Sequence, residues 1–222
     1  MWYRRIPRII VGMTTAVRRR PDWLVPAGLL ALAAIPVIAG AFRVGTIAGG
    51  AAVTPDNARF HDMPVPVVVH IVGATLYSIL GAFQFHPGLR RRRPRWHRLS
   101  GRVLVPAGLA VALSGLWMTL FYPLPASDNT FTNVQRLVVG AVMAGGIVAG
   151  FLAIRRRDVR THRAWMTRAY ALAMGAGTQA FTHGFYTAFA GPPDADARAW
   201  CMFAGWFINI LVAELSIKRR LI

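Results

Sequence analysis

The sequence contains few residues of several types that commonly take part in catalysis or metal binding. It contains one cysteine, Cys201, one lysine, Lys218, and 8 acidic residues in 222. A single thiol excludes an intrachain disulfide and a cysteine-based metal site. The nucleotide-binding motif G-x-x-x-x-G-K-[ST], the zinc motif H-E-x-x-H and the serine-hydrolase motif G-x-S-x-G are absent. The usual forms of ATPase, zinc protease and serine hydrolase therefore have no support.

Positive charge, in contrast, is abundant. The 26 Lys and Arg residues give a formal net charge of +18, yet 55% of the residues are hydrophobic and the mean hydropathy is +0.43. Neither a disordered basic tail nor an ordinary soluble nucleic-acid binder combines these properties. Nucleic-acid binding also requires aromatic residues interleaved with basic ones, and Trp96 and Trp165 do not form such a platform. We expect no nucleic-acid partner.

Six apolar runs of roughly 20 residues, the length of helix that crosses a bilayer, account for most of the chain. They are 23–42, 65–85, 103–125, 137–154, 169–189 and 199–217, and only Glu214 places a charge in one of them. Barrel strands would be about half as long and would alternate apolar with polar residues. The sequence predicts an all-α polytopic membrane protein, with one bundle of six transmembrane helices over 23–217.

The basic residues cluster on alternate connections between these runs. The N-terminal tail 1–22, the connections 86–102 and 155–168, and the C-terminus 218–222 hold 22 of the 26 Lys and Arg residues. The other connections carry four arginines and five aspartates. The positive-inside rule therefore predicts that both termini are cytoplasmic.

The two arginine-rich connections contain an internal repeat. Residues 91–98 and 156–163 both read R-R-x-x-R-x-H-R at an offset of 65, which predicts two related helical hairpins. One hypothesis is that the repeat binds anionic lipid head groups; the other is that it only sets topology. The residues of the head-group hypothesis are Arg95, His97, Arg98, Arg160, His162 and Arg163.

Several of these motifs resemble a known family. They are His70, the segment 81–85 (GAFQF), Pro94, His97-Arg98, Gly101-Arg102 and the segment 160–170 (RTHRAWMTRAY). Over roughly residues 65–190 the chain resembles the predicted membrane proteins of the domain of unknown function 2306 family. The resemblance implies a multi-pass protein of a bacterial inner (plasma) membrane and no particular activity.

Polar residues inside the apolar runs are costly and are therefore candidates for function. His70, Tyr77 and Gln84 share one face of the second run, and Gln179 and His183 share one face of the fifth. Both histidines lie roughly 7–10 Å below the same membrane edge. Two imidazoles at one depth on different helices can be the axial ligands of a b-type haem. One hypothesis is therefore electron transfer through haem b, with a quinone or a membrane protein as partner.

Two alternatives need no metal. In the first, a lipid- or small-molecule-binding or transport bundle uses the polar face made by His70, Tyr77, Gln84, Gln179 and Asn209. In the second, the protein is an accessory structural subunit of a membrane assembly, and the polar residues only pack. Beyond a haem iron, the sequence predicts no metal site.

Three further expectations concern packing alone. Asn209 should hydrogen-bond to a neighbouring helix. Glu214 should pair with an arginine such as Arg102 or Arg168, because an unpaired carboxylate there is costly. The Gly146-x-x-x-Gly150 motif should form a helix-packing groove.

Overall fold

A computed structural model describes residues 22–55 and 57–219. Apart from Asp22, Lys218 and Arg219, the predicted N-terminal tail and C-terminal segment lie outside the described residues. Within the described residues all regular structure is α-helical. The helices are α1 (Leu24–Ala48), α2 (Ala58–Asp62), α3 (Pro64–Gln84), α4 (Pro87–Arg92), α5 (Pro94–Phe121), α6 (Thr130–Arg155), α7 (Val159–Ala173), α8 (Gly175–Ala190) and α9 (Ala195–Arg219).

Five of these helices are long and apolar enough to cross a membrane. They are α1, α3, α5, α6 and α9, and they contain most of the first four predicted runs and of the sixth. The all-α membrane fold predicted from the sequence is therefore confirmed at this level.

The predicted fifth run, 169–189, is divided instead of forming one helix. Helix α7 ends at Ala173 and α8 begins at Gly175, with Met174 between them. The Met174 carbonyl accepts hydrogen bonds from the N–H groups of Gly177 at 3.1 Å and Thr178 at 3.4 Å. The first of these bonds is of the tighter 3₁₀ type, and such turns often occur where one helix ends and another begins.

Close packing at the break depends on two glycines. A Cβ atom at Gly175 would clash with the indole of Trp206 in α9, and one at Gly177 would clash with the backbone carbonyl of Leu32 in α1. Helices α1 and α9 can therefore approach the start of α8 only because neither position has a side chain. A search for charge-free runs does not detect such a break.

Helices α5 and α7 begin well before the apolar runs that predicted them. Helix α5 starts at Pro94, ahead of residue 103, and α7 starts at Val159, ahead of residue 169. Arginine is a good helix former, and proline is favoured at the first helical position. The carboxylate of Asp158 also caps α7 by accepting the Thr161 N–H at 2.9 Å. The arginine motifs are therefore largely helical.

The helices form one up-and-down arrangement. Helices α3, α5, α6 and α7 pack in consecutive pairs, and α7 also contacts α3. Helix α1 lies against α3 and α8, and α9 lies against α6, α7 and α8. The connections 85–93 and 156–158 lie at one end, called here the basic end. The connections 122–129 and 191–194 lie at the other, called the opposite end.

Aromatic side chains fill the centre between α3, α5 and α7. The Tyr170 hydroxyl donates to the Ser78 carbonyl at 2.7 Å, and the Tyr77 and Tyr170 ring centroids are 5.7 Å apart. A Cβ atom at Gly81 would clash with the Tyr170 ring. Small residues thus bring the helix backbones together around these rings, as is usual for membrane bundles.

Candidate functional site

A cavity of about 920 Å³ lies at the basic end between α1, α7, α8 and α9. This volume is near the upper limit of small-molecule sites, about 300–1,000 Å³. Helix α7 supplies the largest share of its lining. Apolar side chains of α1 and α9 complete the walls, among them Val25, Leu29, Leu32, Ile208, Val212 and Ile217.

Arginines of α7 give this cavity its charge. Arg160, Arg163 and Arg168 all line it. Glu214 of α9 accepts two hydrogen bonds from Arg168, at 2.5 Å and 3.0 Å, which confirms the expected pairing. Among the described residues no carboxylate lies within ion-pair distance of Arg160 or Arg163, although Asp158 interacts electrostatically with Arg160 at longer range. The cavity therefore retains a net positive charge.

The deep part of the cavity contains the amide of Asn209. Its Nδ2 donates to the Ala171 carbonyl at 3.1 Å, and its Oδ1 accepts from the Thr178 hydroxyl at 2.7 Å. The expected interhelical hydrogen bond of Asn209 is therefore confirmed. Because Ala171 belongs to α7 and Thr178 to α8, the side chain connects the two sides of the break.

A second cavity, of about 400 Å³, lies at the opposite end between α5, α6, α8 and α9. Two residues of the predicted polar face, His70 and Gln179, line it. It also contains an ion cluster in which Asp128 accepts from Arg136 at 2.6 Å and from Arg198 at 2.8 Å. Burial alone would raise the pKa of Asp128, but these two guanidinium groups outweigh it and hold the pKa of that carboxyl below its usual range.

The two histidines of the haem hypothesis contact different parts of the bundle. His70 Nδ1 lies 3.0 Å from the Val111 carbonyl and 3.2 Å from the Ser114 hydroxyl of α5. His183 Nδ1 lies 2.8 Å from the Gln179 carbonyl of its own helix, and His183 is not part of the cavity that His70 lines. These contacts do not bring the two imidazoles to opposite sides of one common site, as axial haem ligands require. The geometry therefore does not support haem binding.

The other residues of the predicted polar face take part in helix packing. Tyr77 is buried against Gly108 and Tyr170, and the Gln84 amide donates to the Ser100 hydroxyl at 2.7 Å. Neither residue lines either cavity. The shared helix face of α3 therefore does not form one continuous polar site.

The arginine repeat keeps its register in the structure. Helices α5 and α7 start at Pro94 and Val159, which are 65 positions apart. His97 and His162 are thus the fourth residues of their helices, and the two lie within electrostatic reach of one another. His162 Nδ1 lies 2.9 Å from the Gly150 carbonyl, whereas His97 Nδ1 is buried without a hydrogen-bond partner in the described part of the chain.

The two copies of the repeat differ in what their arginines line. Arg160 and Arg163 of the second copy line the basic-end cavity, whereas Arg95 and Arg98 of the first copy do not. All four arginines are exposed, but only Arg160 and Arg163 line the cavity, and His97 and His162 are half-buried outside it.

Sequence reasoning missed the ion cluster of Asp128, Arg136 and Arg198. The charge pattern of the sequence indicates these residues only as charges on the connections that carry few arginines. The available signal was the position of Arg136 and Arg198, each at the start of an apolar run where a lone charge is costly.

The predicted Gly146-x-x-x-Gly150 groove is confirmed, because a Cβ at either glycine would crowd Trp165.

The fold and its cavities define a multi-helix membrane protein with one strongly basic end. A family model described as "Predicted membrane protein (DUF2306)" matches residues 67–217. The chain belongs to this family, as its motifs suggested, and the match ends within α9. No curated protein and no solved structure matches the chain.

Proposed function

We propose that this protein binds an anionic amphiphile, such as an acidic phospholipid, in the basic-end cavity. The observation that carries the proposal is the position of Arg160 and Arg163 on a cavity with apolar walls, with no ion pair to either guanidinium within the described residues. A guanidinium group in a partly apolar site favours a phosphate or carboxylate, because it can donate two parallel hydrogen bonds.

The distribution of the lining residues supports an elongated ligand with one charged end. Arg160 and Arg163 lie in the first turns of α7, while Asn209 and Thr178 lie deeper, beside the helix break. An acyl chain would pack between the aliphatic walls of α1 and α9. Apolar burial contributes about 25 cal/mol per Å² of surface removed from water, so the walls add affinity without adding charge specificity.

In the orientation that the charge pattern predicts, the basic end lies on the cytoplasmic side of a bacterial plasma membrane. Helices α7 and α8 together then form a sixth, broken crossing. Broken spans are tolerated where neighbouring helices satisfy the freed backbone groups. Anionic head groups at the cytoplasmic surface attract basic side chains beside the membrane, and Arg160 and Arg163 would then lie at that surface.

The repeat provides a matched pair of variants for the test. Arg163→Gln removes a cavity guanidinium, and Arg98→Gln removes the guanidinium 65 positions earlier, which does not line the cavity. Binding of fluorescent phosphatidylglycerol to purified protein in non-ionic detergent is measured for both, with phosphatidylcholine as the reference lipid. Arg163→Gln should weaken phosphatidylglycerol binding about fivefold, because a basic side chain near an anionic head group contributes about 1 kcal/mol.

Four results would contradict this function. Equal weakening by both variants would indicate only general attraction to a basic surface, and no weakening by either would leave the cavity without an anionic ligand. Displacement of phosphatidylglycerol by a neutral quinone, with equal potency in wild type and Arg163→Gln, would indicate an apolar ligand. An accessory structural subunit would bind no lipid selectively, and its stability would not rise with ligand concentration.

A further inference from the structure

The opposite-end cavity is built around a buried carboxylate that is outnumbered by arginines. The Asp128 side chain is 0% exposed, while those of Arg136 and Arg198 are 29% and 35% exposed. Each arginine donates one hydrogen bond to Asp128. Since a guanidinium carries five N–H donors, both retain donors for another acceptor. The three groups together carry one net positive charge, and a further arginine, Arg59, also lines the cavity.

Other polar groups that line this cavity have unused hydrogen-bonding capacity. The Asn133 side-chain amide makes no hydrogen bond to any described residue, and Gln179 uses its Nε2 on the Met202 carbonyl but leaves its Oε1 without a donor. His70 uses only Nδ1. None of these atoms is among the fully buried, unpartnered atoms of the described residues, so they open onto the cavity and are available to a bound molecule. Their convergence on one cavity indicates a place for a polar ligand.

The rest of the lining is apolar and aromatic. Met118, Met143, Leu172, Met202 and Trp206 contribute to it. The unbranched, polarisable methionine side chain adapts to irregular ligand shapes, and an indole offers a flat apolar surface. A ligand that satisfies both parts of the cavity has one anionic group and a compact apolar body.

We propose that this opposite-end cavity is a second binding site, for a small organic carboxylate whose carboxyl group lies between Arg136 and Arg198. A carboxylate matches the planar donor fork of arginine, and one negative charge neutralises the surplus charge of the cluster. The site is independent of the lipid site, because the two cavities share no lining residue.

The variants in the test change the charge of the Asp128 cluster but replace each side chain by a neutral one of similar shape. Benzoate is the probe, and neutral benzamide is its isostere; binding to full-length protein in non-ionic detergent is measured by calorimetry. Arg198→Gln removes the surplus charge and should weaken benzoate binding about tenfold or more, because charge-assisted hydrogen bonds are the strong ones. Asp128→Asn raises the net charge and should strengthen benzoate binding.

The double variant Asp128→Asn with Arg198→Gln restores one net positive charge. Its benzoate affinity should return towards that of wild type, and Arg155→Gln, an exposed arginine at the basic end, should change nothing. If Arg198→Gln fails to fold, the comparison of Asp128→Asn with the double variant still decides the question, because only the former carries the extra charge. Equal affinity in all folded variants, or benzamide bound as tightly as benzoate, would overturn the proposal.

Discussion

Asn209 of α9 accepts a hydrogen bond from the Thr178 hydroxyl of α8 at 2.7 Å. The same side chain donates to the Ala171 carbonyl of α7 at 3.1 Å. The last carbonyls of a helix lack the N–H donors that the next turn would supply, and no water replaces them in a bilayer interior. Asn209 therefore satisfies a backbone group close to the break and fixes α8 relative to α7.

Replacement of Asn209 by leucine should destabilise the protein. Interhelical hydrogen bonds in membrane proteins contribute about 0.6 kcal/mol on average and up to about 1.7 kcal/mol. The loss of two should lower the free energy of unfolding by about 1–2 kcal/mol on the same scale. Unfolding by sodium dodecyl sulfate in mixed micelles measures this, with Leu211→Ala on the exposed face of α9 as the control.

A double-mutant cycle separates this connection from simple loss of packing. Thr178→Val alone should cost less than Asn209→Leu, and the two together should cost less than the sum, because both remove the same hydrogen bond. Strict additivity would show that the Thr178 to Asn209 contact contributes nothing to stability.

Substitution of the glycine that contacts α1 should also be destabilising. A Cβ atom in Gly177→Ala would meet the rigid backbone of Leu32, which cannot move aside as a flexible side chain could. Overpacking of this kind costs about 1–3 kcal/mol. Gly184→Ala on the same helix has nothing within 4 Å of the added atom, so its thermal midpoint should match or exceed that of wild type. A Gly177→Ala variant as stable as Gly184→Ala would contradict the close approach of α1.

The sequence predicted those features that follow from one strong physical requirement. A long run without charge must be buried in lipid or protein, and such runs correctly predicted the five long apolar helices. A polar group in such a run must be paired, which predicted an interhelical hydrogen bond for Asn209 and an arginine partner for Glu214. The break at Met174 follows instead from contacts with α1 and α9, helices distant in sequence, and no local pattern reports those contacts.

The candidate sites were less predictable, because equal depth does not mean proximity. His70 and His183 share a predicted depth, but helix rotation and packing order decide which neighbour each imidazole meets. Likewise the two copies of the arginine repeat are alike in sequence, and only the positions of α1 and α9 make the second copy line a cavity. Such asymmetry depends on tertiary packing and not on the motif.

Because of the Asp128 cluster, the stability of the protein should decrease at acid pH. Its folded-state pKa lies below the ordinary value, so its contribution is fully present above the unfolded pKa of about 3.9 and is lost as the pH falls through the folded pKa. Thermal midpoints of wild type and Asp128→Asn should therefore differ by a constant amount above about pH 5 and converge below about pH 4. A difference that persists unchanged at the lowest pH would exclude this ionised cluster as the cause.

Cysteine labelling decides whether α7 and α8 together cross the membrane. Cys201 is buried, so Cys201→Ala provides a background into which single cysteines are placed at Arg92, Ala126, Arg156 and Pro192. The apolar part of α7 and α8, residues 169–189, has the length of about 20 residues that spans a bilayer. A membrane-impermeant maleimide should therefore label positions 126 and 192 in intact cells, and positions 92 and 156 only after permeabilisation. Labelling of 192 together with 92 and 156 would mean that the broken segment turns back within the membrane, leaving five crossings and placing α9 in the reverse orientation.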